Sequence, residues 1–229
     1  MQGFVFWLVY PLLWLISILP FRLFYFFSDL IYILVYYIIG YRKKTVEKNL
    51  KLAFPEKSES ELISIKKKFY HHMCDMFLEM IKTLTISEAE LKKHFVFINP
   101  KDIETVNNLG KGVLVMCGHY ASYEWMISME LYGLKLKGHG IYKRIRNKYF
   151  DKLVKDIRGK FKTEMIESHR VVSTIARHQK NGLNGIYGMI ADQTPKRANY
   201  KFWTDFMGVK VPFFTGSEKL AKDFDMPVY

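Results

Sequence analysis

The sequence predicts an α/β protein with a largely parallel sheet, preceded by apolar and helical segments. From about residue 99, short β-type runs alternate with helical ones, which is typical of layered domains with parallel strands. Residues 42–98 show helical periodicity alone, and residues 1–41 carry almost no charge. We therefore expect a membrane anchor at 1–41, a helical lead-in at 42–98 and an α/β core at 99–229.

The N-terminal segment has the composition of a membrane anchor. Residues 2–21 contain no charge, and a membrane-spanning helix needs about 20 such residues. Arg22 and Asp29 interrupt the pattern before a second uncharged run at 30–41. The basic cluster at 42–44 follows at once, and such clusters favour the cytoplasmic side of a membrane. We expect the rest of the chain to lie in the cytoplasm.

The mode of anchoring stays open at this stage. A secretory signal peptide is disfavoured because the segment has no basic start and its apolar run is too long. The apolar run could also form a buried helix of a soluble protein. Pro11 and Pro20 argue against one straight span, so a hairpin or an interfacial helix is an alternative to a single crossing.

The helical lead-in contains two expected helices. Residues 45–54 have apolar side chains at helical spacing, and Pro55 ends that helix. A longer helix begins at serines suited to an N-cap near residue 58 and keeps an apolar stripe from Leu62 to Met80. This stripe is more typical of a packed or membrane-facing surface than of a cofactor site.

The expected elements of the core alternate in type. Strands are predicted at 113–117, 134–142, 163–166 and 184–190, with helices at 121–133, 147–161 and 171–182. Residues 226–229 resemble the opening of another strand, so the C-terminal part of the core is expected to be missing.

Charge and cysteine content limit the function. The net charge of +13 favours a polyanionic partner such as a phospholipid surface, a phosphorylated substrate or nucleic acid, or it reflects a solvated lysine-rich face. Helix-turn-helix, RNP and zinc-finger signatures are absent from the sequence, which disfavours nucleic acid. The two cysteines form neither a disulfide framework nor a metal-type spacing, and they fit a reducing compartment.

The stretch GHYASYEW places His119 and Glu124 directly after the first predicted strand. In α/β sheets the carboxyl ends of strands are where sites form. A carboxylate that accepts from one imidazole nitrogen leaves the other nitrogen to act as a general base on a substrate hydroxyl. Cys117 lies within the apolar run, and the pattern is not HExxH, so neither a cysteine nucleophile nor a zinc protease is expected.

GHYASYEW resembles the H-x4-D/E motif of membrane-bound acyltransferases. The last motif position is Glu rather than Asp, which makes the stretch more similar to the bacterial lipid A late-acyltransferase branch. Four further blocks are similar to that branch in order and spacing: YRKKTVEKNLKLAFPEKSESE, IYKRIRNKYFDKLVKDIRG, IYGMIADQTP and FWTDFMGVKVPFFTGSEKLA. The resemblance runs over nearly the whole chain. The chain departs from the common Y-R-P-x-x-N form at residues 142–147, and the family normally continues past the T-G block.

The resemblance implies an αβα sandwich of the glycerol-3-phosphate acyltransferase type on the cytoplasmic face of a bacterial inner membrane. It implies transfer of an acyl chain from an acyl carrier protein thioester, less often from coenzyme A, to a hydroxyl of a lipid A precursor, without a metal or other cofactor. His119 would be the base and Glu124 its orienting partner. The residues that would bind substrate are Arg144, Asn147, Asp151, Arg158, Asp192 and Gln193.

Each of the substrate-binding assignments has a plainer alternative. Asn147 is a good helix N-cap, Asp151 can pair with a nearby lysine, and Arg158 can close a helix. Residues 192–195 can form a simple turn. Residues 143–146 contain three basic side chains that suit phosphates or an acidic carrier protein, or that form a solvated edge.

Two other functions remain open on the sequence. The same acyl transfer can act on an aminolipid, a lysophospholipid or another glycolipid, because the H-x4-E pair does not read the acceptor. A non-catalytic basic protein that binds membranes explains the charge and the apolar segment. It leaves His119 and Glu124 at a strand end unexplained.

Overall fold

The computed structural model describes residues 2–196 and 201–229, and it confirms a mixed α/β architecture with a parallel sheet. The strands of this sheet are β1 (Val113–Cys117), β2 (Lys137–Tyr142), β3 (Glu164–Glu167) and β4 (Gly185–Ile190). Their spatial order is β1-β4-β2-β3, and every neighbouring pair is parallel. The last strand of this sheet, β4, is therefore inserted between β1 and β2.

Helices connect these strands and cover both faces of the sheet. A 3₁₀ helix, Tyr123–Tyr132, follows β1, α7 (Lys148–Arg158) joins β2 to β3, and α8 (Val171–Lys180) joins β3 to β4. The expected helix at 121–133 thus forms, but as a tighter 3₁₀ helix that ends at the left-handed Gly133.

Each face of the sheet has its own core. On one face, side chains of β1, β3 and β4 pack against α8 and against α9 (Gly216–Asp223). On the other face, Val113 and Ile186 pack against α6 (Pro100–Asn108) and the segment after the 3₁₀ helix. This second face also carries the cavity that His119 lines.

Residues 227–229 add a strand-like segment beside β1. Leu114 bridges Val228 in parallel fashion, and Tyr229 exchanges backbone hydrogen bonds with Leu114 and Met116 at 2.9 and 2.8 Å. The predicted strand opening at 226–229 therefore forms. An antiparallel hairpin of β5 (Phe202–Phe206) and β6 (Val209–Phe213), which the sequence analysis did not anticipate, precedes α9.

Helices occupy most of residues 42–98. They are α3 (Lys43–Ala53), α4 (Glu59–Lys82) and α5 (Glu88–His94). Ser58 caps α4 in a capping box with Glu61, which explains why the serine-rich run starts this helix.

The apolar N-terminus folds as α1 (Gln2–Ile18) and α2 (Phe21–Ile33), and α2 continues as a π-helix, Leu34–Ile39. Among the described residues, Phe21–Ile39 is long and apolar enough to cross a membrane, and only 17% of its apolar window is buried. One side of these helices packs on the domain, for example where Phe6 stacks on Tyr149 of α7. Their other side exposes large apolar side chains, which fits a membrane association.

Candidate active site

His119 and Asp192 meet at the carboxyl edge of the sheet. Cys117 at the end of β1 lies opposite Ile190 at the end of β4. His119 comes two positions after Cys117, and Asp192 comes two positions after Ile190. Because adjacent parallel strands end at the same edge, the strand order brings the two side chains together. The sequence separation of 73 residues hides this neighbourhood.

Both oxygens of the Asp192 carboxylate accept hydrogen bonds from His119. The backbone N–H of His119 lies 2.7 Å from Oδ2, and the ring nitrogen Nδ1 lies 2.7 Å from Oδ1. A Cβ on Gly118 would stand 3.2 Å from Oδ2, so glycine gives the carboxylate room to approach. Partial burial raises the pKa of Asp192, but the hydrogen bonds from His119 outweigh it and hold this pKa below its usual value.

An ionised Asp192 accepts only, so Nδ1 of His119 carries the proton and Nε2 keeps its lone pair. The Gln193 side-chain nitrogen lies 3.4 Å from Nε2. The Tyr123 ring stands edge-on to the imidazole, with ring centres 4.9 Å apart. The reactive nitrogen thus lies in a partly enclosed polar corner, available to a hydroxyl.

Glu124, the expected partner of His119, instead binds Arg158. Its carboxylate accepts from Nε at 2.8 Å and from Nη2 at 2.5 Å, a two-pronged ion pair. Burial works against the charge of the Arg158 guanidinium, yet Glu124 more than compensates and keeps the pKa of Arg158 above its usual value. Ala121, with φ +48°, turns the chain sharply before the 3₁₀ helix, and this local path separates the two motif residues.

A mostly apolar cavity of about 540 Å³ extends from this corner across the sheet. His119, Glu124 and Arg158 line its polar part, and Gly140 and Gly188, which are register partners on β2 and β4, line its floor. At these two positions the sheet presents backbone to the cavity, and a Cβ on Gly140 would stand 2.9 Å from the Met165 sulfur. Methionine, aliphatic and aromatic side chains complete the lining, including Phe77, Met80, Met126, Ile127, Met129 and Met165.

The remaining predicted residues lie on the next segment along the same edge. Asp151 is buried and accepts from the Ile145 N–H at 2.8 Å and from Lys155 at 3.0 Å, so it shapes the turn after β2. Asn147 caps α7 by accepting from the Tyr149 N–H at 3.0 Å. Arg144 is exposed.

An exposed basic cluster follows β2 at the edge where His119 and Asp192 lie. Its members, here called the basic cluster, are Lys143, Arg144 and Arg146. Lys143 lines the cavity, so the cluster reaches its rim.

Cys117 and metal binding can be assessed from the same geometry. Burial, and to a lesser extent the Asp192 charge, raises the pKa of the Cys117 thiol, so the thiol stays protonated and is a poor nucleophile. Among residues 2–196 and 201–229, no group of three or more His, Cys, Asp or Glu side chains is arranged to hold a metal ion.

Sequence reasoning missed two features of this site. The sequence analysis assigned Asp192 to substrate binding and not to the His119 imidazole. The available signal was that Asp192 and Gln193 follow β4 in the same way that His119 and Tyr120 follow β1. The sequence analysis also missed the buried Glu79 of α4, which accepts from the Ser122 hydroxyl beside the motif. A carboxylate on an apolar helix face was the only signal for Glu79.

Comparison with known proteins adds one match. A protein-family model described as bacterial lipid A biosynthesis acyltransferase matches residues 1–229. A comparison with curated proteins found no match.

Proposed function

The chain belongs to the bacterial lipid A biosynthesis acyltransferase family, and from this premise we propose that it transfers a fatty acyl chain from a thioester donor to a hydroxyl of a lipid A precursor. The observation that carries the proposal is the imidazole of His119 held by Asp192 at the rim of an apolar cavity. The proposed fold assignment is the αβα sandwich of the glycerol-3-phosphate acyltransferase type, supported by helices on both faces of a parallel sheet.

His119 is the general base in this proposal. Its Nε2 accepts the proton of the acceptor hydroxyl while the hydroxyl oxygen attacks the thioester carbonyl carbon. The imidazolium is stabilised by Asp192, which accepts from Nδ1 at 2.7 Å. When the carbon–sulfur bond breaks, the proton on Nε2 passes to the departing thiolate. The products are an ester and a free thiol, so the reaction balances with the two substrates alone.

Arg158 is the proposed cation for the developing oxyanion. It lines the cavity, and its pairing with Glu124 fixes the plane of the guanidinium. Preorganised donors aimed at a developing charge provide much of the stabilisation in acyl transfer. The Gln193 amide, 3.4 Å from Nε2, is a second donor beside the reacting atoms. Glu124 thus contributes to catalysis through Arg158 instead of through the imidazole.

The cavity is the proposed site of the acyl chain. Its volume of about 540 Å³ lies within the usual range for small-ligand pockets. Burial of an acyl chain contributes about 0.8 kcal/mol per methylene group, so an apolar lining suits a long chain. Gly188, where a Cβ would meet nothing closer than 3.8 Å, leaves space for the chain on the sheet.

The basic cluster is the proposed contact for negative charge at the cavity rim. An acyl carrier protein is acidic, and lipid A precursors carry phosphates, so both substrates fit this surface. Coenzyme A, with its phosphates, is the less favoured donor. Residues of the substrate set that lie farther from His119, namely Asn147 and Asp151, support the turn that presents the cluster.

The proposed location is the cytoplasmic face of the bacterial inner membrane. The exposed apolar side of α1, α2 and the π-helix suits the lipid, and acyl carrier protein is a cytoplasmic donor. The opposite side of the N-terminal helices packs on α4 and α7. These helices are therefore part of the folded domain, unlike an anchor that is joined to it only by a linker.

The test is mass spectrometry of lipid A and total lipids from the native host. Strains carry a gene deletion restored with the wild-type gene, with His119→Ala, or with the exposed control His169→Ala. We expect one acyl chain to disappear from lipid A on deletion and to return with the wild type and the control, but not with His119→Ala. Loss of an acyl group from another lipid would move the acceptor to the aminolipid, lysophospholipid or glycolipid alternatives. Unchanged lipids in all strains would favour the non-catalytic membrane-binding alternative.

A further inference from the structure

A buried carboxylate outside the cavity holds the loop that carries His119. Glu79 of α4 is only 7% exposed, and its Oε2 accepts a short hydrogen bond from the Ser122 hydroxyl. Its Oε1 accepts from the Tyr25 hydroxyl of α2 at 2.8 Å. Both carboxylate oxygens are therefore engaged, one by the catalytic loop and one by an N-terminal helix.

The loop between His119 and Ser122 contains a residue that needs such support. Ala121 adopts φ +48°, a left-handed conformation that residues with a Cβ rarely take. Strained conformations of this kind persist where the surroundings fix them from both sides. Asp192 holds the His119 side of the turn and Glu79 holds the Ser122 side.

The same turn of α4 also fixes the other end of the motif. The indole N–H of Trp125 lies 3.2 Å from the Glu79 carbonyl oxygen and 3.0 Å from the Thr83 hydroxyl. Trp125 is 2% exposed and immediately follows Glu124. The stretch from Ser122 to Trp125, which includes Glu124, is thus attached to α4 at both ends.

The N-terminal helices are attached to this turn as well. The Lys82 ammonium donates to the carbonyl oxygens of Ser17 at 2.9 Å and Leu19 at 2.5 Å, where α1 passes into α2. Together with the bond from Tyr25, these contacts link residues 79–83 of α4 to both apolar helices. The apolar helices and the catalytic loop therefore share one anchoring point.

We propose that Glu79 is a positioning residue for acyl transfer: through Ser122 it sets the turn that places His119, and through Tyr25 it depends on α2. This inference rests on the proposed function. The cavity is lined on α4 by Phe77 and Met80, so Glu79 acts through the loop and not by contact with substrate. Its removal lets the turn relax, so fewer molecules hold the imidazole in reactive geometry, while the acyl cavity keeps its lining.

The experiment measures kcat and KM of the full chain in detergent micelles, with lauroyl-acyl carrier protein and a hydroxyacylated lipid A precursor. The variants are Glu79→Gln, Ser122→Ala and Tyr25→Phe. The controls are Glu47→Gln, in a partly buried ion pair with Lys66, and Ser173→Ala, whose hydroxyl bonds within an exposed turn. Rates are divided by the folded fraction from thermal melts.

We expect kcat to fall about tenfold in Glu79→Gln and Ser122→Ala and less in Tyr25→Phe, with KM for the donor within about twofold of the wild type. The Glu79→Gln/Ser122→Ala double variant loses no more than Glu79→Gln alone, because the bond that Ser122→Ala removes is already disturbed in Glu79→Gln. Ser122→Ala keeps the test valid if the buried Glu79→Gln fails to fold.

Two results overturn the inference in different ways. In the first, the wild type transfers acyl groups, and the kcat of Ser122→Ala equals that of the control Ser173→Ala. The proposed function then stands, and the role of Glu79 is structural only. A wild type that transfers no acyl group to any lipid acceptor overturns the proposed function and the positioning role with it.

Discussion

Asp192→Asn separates the two candidate partners of His119. The Asp192 carboxylate now accepts from two donors of His119, the backbone N–H and Nδ1–H, each at 2.7 Å. An asparagine has one acceptor oxygen, so its NH2 group must face the other donor. If the NH2 group faces the ring, the imidazole proton moves to Nε2 and the base is lost. If it faces the backbone, the turn at Gly118 is pushed apart.

The magnitude follows from the bond that is removed. A hydrogen bond to a charged group contributes about 1.5–3 kcal/mol. Since about 1.36 kcal/mol corresponds to a tenfold change in rate, kcat is expected to fall roughly 10- to 150-fold. The matched comparison is Glu124→Gln, which keeps one acceptor for Arg158 and leaves the bond between His119 and Asp192 intact.

The assay is kcat/KM for acyl transfer by both variants. In Asp192→Asn the rate falls because the imidazolium loses its carboxylate partner. In Glu124→Gln the bond between His119 and Asp192 stays in place, and the rate falls only through weaker oxyanion stabilisation. A full rate in Asp192→Asn together with a lowered rate in Glu124→Gln would refute this reasoning and restore the H-x4-E pairing expected from the sequence.

Three further predictions concern stability, chain length and membrane binding. Because the folded pKa of Asp192 is lowered, this carboxylate stabilises the fold above its unfolded pKa of about 3.9 and ceases to do so as pH falls through the folded value. The thermal melting temperature of the wild type should therefore exceed that of Asp192→Asn at neutral pH, and the difference should shrink as pH falls below about 4. Gly188→Leu should exclude acyl chains longer than about ten carbons. Gly188 lies four residues, or about 13 Å of extended chain, before Asp192, and a C–C bond of about 1.5 Å advances a zigzag acyl chain by roughly 1.3 Å. Equal rates with C8 and C14 donors would contradict this. The Trp7→Ser/Leu8→Ser double variant changes the exposed side of α1, and its binding to phosphatidylglycerol vesicles, measured by sedimentation, should be at least tenfold weaker. The reason is that each of the two side chains contributes about 1.5–3 kcal/mol when it is buried in the lipid. The control Val172→Ser, also at an exposed position, should bind the vesicles as the wild type does.

Local patterns were sufficient to predict most elements of the fold. Strand and helix types in the core follow from the alternation of apolar runs, and the start of α4 follows from the Ser58 capping box, because both signals lie within a few residues of the element they specify. The hairpin of β5 and β6 was missed. Its first strand is exposed along its whole length, so burial does not impose on it the alternation of apolar and polar residues that marks a strand in the sequence.

The sequence by itself determined that His119 follows a buried strand, that a basic cluster follows another and that the N-terminus is apolar. Only the tertiary structure decided which carboxylate pairs with His119 and which with Arg158. Insertion of β4 beside β1 brings Asp192 to His119, and this order depends on long-range packing that periodicity does not encode. The left-handed Ala121 and the 3₁₀ helix then direct Glu124 towards Arg158, because the spacing of two residues along a chain does not fix their directions once the backbone leaves the regular helix.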